Sequence, residues 1–157
     1  MTRNDLPVID VQAGSEGWAK LDALTTLCET AIGAARQQLD QPVPGEVCIR
    51  FTDDAEMSEL NARFRDRASP TNVLSFPAHR VAGGRLGDIA LGRETVFREA
   101  EEKAIPVEDH VSHLVIHGFL HLQGLDHQTD TEAETMEALE RAALLELGIS
   151  DPYEVRT

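Results

Sequence analysis

The sequence predicts an α+β fold, a single domain with a small mixed sheet of about four strands covered by about five helices. Three observations predict it. The chain has 157 residues, the length of one ordinary domain with a core of its own. Hydrophobic residues make up 41% and charged residues 27%, a soluble globular balance that argues against disorder or a fibrous repeat. Apolar residues alternate in four short stretches and recur every three or four positions in five longer ones, in the order βαβαββααα. No internal repeat, low-complexity tract or linker divides the chain, so residues 1–157 read as one domain.

Pro7 to Val11 is short and β-branched and reads as an edge strand. From Trp18 to Leu39 the positions Leu21, Leu24, Leu27, Cys28, Ala31 and Ala35 mark one face of an amphipathic helix. Pro42 to Gly45 is a turn, after which Val47, Ile49 and Phe51 alternate with Cys48 and Arg50 as a strand with one buried face. Asp53 or Asp54 can cap a helix whose apolar positions are Met57, Leu60 and Phe64 and whose last turn, Arg63 to Arg67, runs into a loop. Asn72 to Phe76 is a third strand stopped by Pro77. A turn at Gly83 and Gly84 leads to a fourth, Gly87 to Leu91, which either forms a hairpin with it or lies beside it. Glu94 to Lys103 is helical. Pro106 opens the next helix, with Glu108 and Asp109 at its positive end and Gly124 as its stop. A last helix runs from Thr131 to Leu147 with Met136, Leu139, Ala143 and Leu147 inward and Glu132, Glu137, Glu140 and Arg141 outward.

Charge and composition restrict function. The net charge of −14 opposes indiscriminate binding of polyanions. Residues 63–98 are the exception, with seven arginines against three acidic side chains. They form either a solvated stretch of an acidic surface or a localised anion site. No apolar run approaches the roughly 18 residues of a membrane span, and Met1 to Asp10 lacks the apolar region of a secretory signal. The expected compartment is the cytoplasm, with no membrane partner. Cys28 and Cys48 form no CxxC pair and are expected as reduced core residues.

Five of the six histidines lie between His110 and His127. His117 and His121, four apart on a helix, stand about 40° apart around its axis, so both imidazoles can face one point. Gly124 can take the left-handed conformation that reverses the chain, and His127 follows three residues later. In this H-x-x-x-H-x-x-G-x-x-H pattern a zincin-like metal helix supplies two nitrogens and a glycine turn returns a third. Three neutral imidazoles with an open fourth position suit a catalytic Zn²⁺, one per chain. His113 shares the face of His117 and is expected behind the ligands or buried, while His110 is expected on the surface. His79 carries no readable signal. The residue after the first ligand is Gly118, where H-E-x-x-H proteases place their glutamate base. A mid-helix glycine costs about 1 kcal/mol relative to alanine, so a close backbone approach is expected there.

The string HGFLHLQGLDH resembles the signature of the YbeY family of metal-dependent rRNA-maturation endoribonucleases. Leu60, Asn61, Phe64, Arg65, then TNVLSFP at Thr71 to Pro77 and LGDIAL at Leu86 to Leu91, resemble that family's other motifs in the same order. Two positions depart from it: Phe64 stands where tyrosine is usual, and Leu125 where tyrosine often precedes the Asp-His pair. The resemblance implies zinc on His117, His121 and His127, a catalytic role for these and for Arg65, a ribosomal RNA precursor as substrate, and no DNA. An arginine at Arg65 can grip a phosphodiester bidentately. Asp88, Asp126 and Ser75 are candidates for proton transfer or for bracing the ligands, with a local backbone bond at a strand start as the other reading of Asp88. Met136 invites comparison with the methionine beneath metzincin zinc, but its helical spacing favours core packing. The competing functions are a zinc peptidase with an unusual base and a ribosome-associated binding protein with structural zinc. The acidic surface is expected to require a ribosomal particle or ribosomal protein as partner.

Overall fold

The computed structural model describes residues 8–65, 71–78 and 84–153. Its elements are β1 (Ile9–Ala13), α1 (Leu21–Gln37), β2 (Glu46–Thr52), α2 (Asp54–Arg65), β3 (Val73–Pro77), β4 (Arg85–Gly92), α3 (Arg93–Lys103), α4 (Val107–Leu122) and α5 (Asp130–Glu146). The four strands form one sheet in the order β1-β2-β4-β3, with β1 parallel to β2, β2 parallel to β4, and β3 antiparallel to β4. The expected α+β architecture is therefore observed, with β1 at one edge and β3 beside β4. The expected turn at Gly83, Pro7 of the first strand, and His79 lie outside the described residues.

One face of the sheet carries most of the core. Val47, Ile49 and Phe51 of β2 and Ile89 and Leu91 of β4 meet Cys28, Ile32 and Ala35 of α1, Val115 and Phe119 of α4, and Met136 and Leu144 of α5. Helix α4 is buried on nearly every side, from His110 and Val111 through Ile116 to Leu122, the environment in which a helix is apolar all round. On the opposite face Met57 of α2 packs on Leu74 and Ala90. Asp53 caps α2 through the Glu56 N–H at 2.9 Å, while Asp54 accepts from the Thr95 N–H and hydroxyl at 3.1 and 2.8 Å and so ties α2 to α3.

Four expectations are corrected. Helix α1 begins at Leu21 rather than Trp18; the Trp18 indole N–H donates to the Thr52 carbonyl at 2.8 Å and its ring meets Phe51 and Phe97 edge-on, so it closes the core as part of the preceding loop. Cys48 is reduced but only half-buried, on the sheet face away from α1 and α4. His110 is 1% exposed, not superficial, because α4 is central, and its Nε2 pairs with Glu99 at 2.9 Å. Glu140 is not outward: it is 1% exposed on the inner face of α5.

Candidate metal centre

The rigid spacing of α4 brings His117 and His121 together, with ring centroids 4.7 Å apart. The third imidazole arrives through the helix end. Gly124 adopts φ +96°, and the Gly124 and Leu125 N–H groups bond to the His121 and Leu120 carbonyls at 2.9 and 3.1 Å, the paired bonds of a Schellman stop. This turn returns the chain so that the His127 ring lies 5.5 Å from His117 and 5.1 Å from His121. One ligand-capable atom from each histidine lies within 4.8 Å of the others.

The helix is seated closely. A Cβ on Gly118 would stand 3.1 Å from the Ile89 side chain, which accounts for glycine within this helix: the α4 backbone rests there on the Ile89 side chain of β4. The position that carries the base in H-E-x-x-H proteases thus faces the sheet.

The three histidines have the chemistry of candidate metal ligands. His121 Nδ1–H donates to the Leu125 carbonyl at 2.9 Å, leaving Nε2 with its lone pair. Burial, followed by the neighbouring His117 and His127, pushes the His121 pKa below its ordinary value, which favours the neutral imidazole that a cation needs. His117 Nδ1 lies 3.2 Å from Glu140 Oε2. A cavity of about 250 Å³ borders His117 and His127 and is walled by Ala133, Met136, Glu137, Glu140 and Tyr153. Met136 is fully buried and shared between that wall and the core, in keeping with its helical spacing. His113, expected behind the ligands, does lie there, bonded to Glu140 at 2.6 Å. Three imidazoles with two Nδ1 atoms bonded to oxygen acceptors fit a Zn²⁺-type ion with room for exchangeable ligands.

The remaining expected residues are distributed elsewhere. Arg65 closes α2, and its side chain lies outside the described residues. Asp88 pairs with Arg85 and lines a cavity of about 620 Å³ on the α2 side of the sheet, with Cys48, Arg50, Phe64 and Ser75. The Asp126 carboxylate accepts the His127 backbone N–H at 2.8 Å, a local bond at the rim of the centre. Arg85, Arg93 and Arg98 each face an acidic neighbour, Asp88, Glu94 and Glu102, so these three arginines of the basic segment are engaged in ion pairs. Glu140 was read as an outward residue of the last helix, and Tyr153 went unnoticed in the sequence. For Glu140 a signal existed: it lies four residues after Met136 and four before Leu144, on the buried face of α5.

An α+β domain whose central helix and following glycine turn gather three imidazoles defines a class of protein with a candidate three-histidine metal centre. The endoribonuclease YbeY family model matches residues 12–148. Proteins named Endoribonuclease YbeY from a Chelativorans species and from Maricaulis maris are 52% and 50% identical over 150 and 145 residues, each covering 92% of this chain and 92% and 91% of the relative. A solution structure of a Thermotoga maritima protein aligns with a TM-score of 0.57 and 25% identity over 94% of this chain and 100% of that one. This chain belongs to the endoribonuclease YbeY family.

Proposed function

We propose that the protein is a zinc-dependent endoribonuclease that hydrolyses phosphodiester bonds in ribosomal RNA precursors in the cytoplasm. The single observation that carries this reading is the convergence of His117, His121 and His127 within 4.8 Å, in a chain whose relatives are named endoribonucleases. These three residues would hold one Zn²⁺ per chain. A zinc ion in such a site supplies a Lewis acid and a water whose pKa is lowered towards neutrality.

The chain's own residues divide the remaining work. Neutral imidazoles set the donor charge at zero, leaving the full positive charge of the ion to act on an anionic phosphodiester. Arg65 would bind the scissile phosphate through its guanidinium fork and stabilise charge that grows in the transition state. Gly118 offers no helical base, which favours phosphodiester over peptide hydrolysis. A net charge of −14 makes attraction to naked RNA weak and salt-sensitive, which supports a ribosomal particle or ribosomal protein as the partner that supplies affinity. No helix among the described residues is long and apolar enough to cross a membrane.

Incubation of the zinc-loaded protein with structured RNA and with casein, beside a His121→Ala control, tests the reading. RNA cleavage that is lost in the control is the expected result. Casein cleavage without RNA cleavage would establish a peptidase, and binding of ribosomal particles without cleavage of either substrate would establish a binding protein.

A further inference from the structure

Glu140 is the only buried acidic side chain among the described residues, at 1% exposure. It occupies the face of α5 that carries Met136, Ala143 and Leu144, where an apolar residue would pack without the cost of desolvating a charge. Three groups surround its carboxylate. His113 Nε2 lies 2.6 Å and the Tyr153 hydroxyl 2.7 Å from Oε1, and His117 Nδ1 lies 3.2 Å from Oε2.

A carboxylate whose two oxygens meet three groups that can each donate accepts from all of them. His113 satisfies this with its proton on Nε2, and its Nδ1 is buried with no partner, the pattern of a ring whose donor is committed to the carboxylate. For His117 the same rule places the proton on Nδ1. Its Nε2 then keeps the lone pair that a metal requires. Tyr153, from the segment after α5, stacks edge-on against His113 at 5.5 Å and fixes the carboxylate from the other side.

We propose that Glu140 is a positioning residue that sets the tautomer and ring orientation of His117 for metal binding, and that His113 and Tyr153 hold it in register. The proposal rests on the metal-centre reading above. It explains why a charge is buried beside the centre and why the segment after α5 returns to α4.

The test reads the metal-free protein and the metal complex separately. Imidazole ¹⁵N shifts of the metal-free protein, recorded at alkaline pH where the rings are neutral, report the His117 tautomer; zinc affinity is measured by competition with a chelator. The wild-type protein is expected to hold His117 in the Nδ1–H form. Glu140→Ala should shift the ring towards the Nε2–H form and weaken zinc binding about 10- to 100-fold. Glu140→Gln, with a single acceptor oxygen in the same volume, should fall between the two, and Tyr153→Phe should cost less than either. If Glu140→Ala fails to fold, the isosteric Gln and Phe variants carry the comparison. A purely structural role would lower the melting temperature of the variants while their folded forms kept the wild-type tautomer and zinc affinity, and that result overturns the proposal alone. A wild-type protein that takes up no zinc overturns the metal-centre reading and the proposal with it.

Discussion

Gly118 of α4 lies directly on Ile89 of β4, so close that a Cβ would stand 3.1 to 3.2 Å from three carbons of the isoleucine side chain. The glycine gives up about 1 kcal/mol of helix propensity to let the helix that carries His117 and His121 lie against the sheet. Ile89 is 1% exposed and has little room to retreat. Overpacking a core typically costs about 1–3 kcal/mol, more than alanine's gain in propensity. Gly118→Ala should therefore destabilise the protein by about 1 kcal/mol net, and Ile89→Val in the same chain should recover part of that loss. Denaturant unfolding of the two single variants and the double variant measures the coupling; additive effects would show that the contact is not limiting.

Gly124 tests the return of His127 to the other two histidines. A Cβ there would meet nothing within 4 Å, but φ is +96°, so the cost of a substitution is conformational rather than steric crowding. Gly124→Val should weaken zinc binding by displacing His127, and Gly124→Asn should do less harm, because asparagine tolerates positive φ better. Chelator competition on the folded variants checks this; equal affinity in Gly124→Val would mean that the loop finds the site by another path.

The convergence of the three histidines was legible because helical geometry fixes the relation between His117 and His121 whatever surrounds them, and because a glycine stop has one dominant conformation. The element order was legible for a similar reason, since alternation in β2 and three-to-four spacing in α1 and α4 are local properties. Burial of charged and polar side chains was not. His110 and Glu140 become interior only through Glu99, His113 and Tyr153, partners 11, 27 and 13 residues away, and composition alone assigns such groups to the surface. The ion pairs of Arg85, Arg93 and Arg98 were likewise hidden in a segment that reads as uniformly basic.

His110 predicts a pH dependence of stability. Burial, the largest cause, pushes its pKa below the ordinary value of 6.5, and the hydrogen bond it donates to Glu99 offsets this only in part. The unfolded chain therefore takes up a proton at this position near pH 6.5, and the folded protein only at lower pH. Between those points the unfolded state binds more protons, so stability falls as pH falls. Glu99 is itself lowered below 4.5: burial opposes this, and the bonds from His110 and Asn72 outweigh it, so its loss adds in the same direction further down the scale. Melting temperatures of wild type and His110→Gln between pH 7.5 and 5.5 provide the check. The variant should show a shallower decline, and parallel curves would remove His110 as the cause.

Arg65 separates substrate binding from metal binding. If it grips the scissile phosphate, Arg65→Ala should reduce RNA cleavage by about 100-fold or more, the usual cost of deleting a donor to developing charge, with zinc content and melting temperature unchanged. Arg65→Lys should recover activity only partly, for want of the planar fork. Loss of fold or of zinc in Arg65→Ala would reassign the residue to a structural ion pair.

The central claim is that His117, His121 and His127 form one zinc site. Elemental analysis of the purified protein beside His117→Ala, His121→Ala and His127→Ala measures it most directly. One zinc per wild-type chain, lost or sharply reduced in each folded variant, is the predicted result; zinc content unchanged by these substitutions would contradict it.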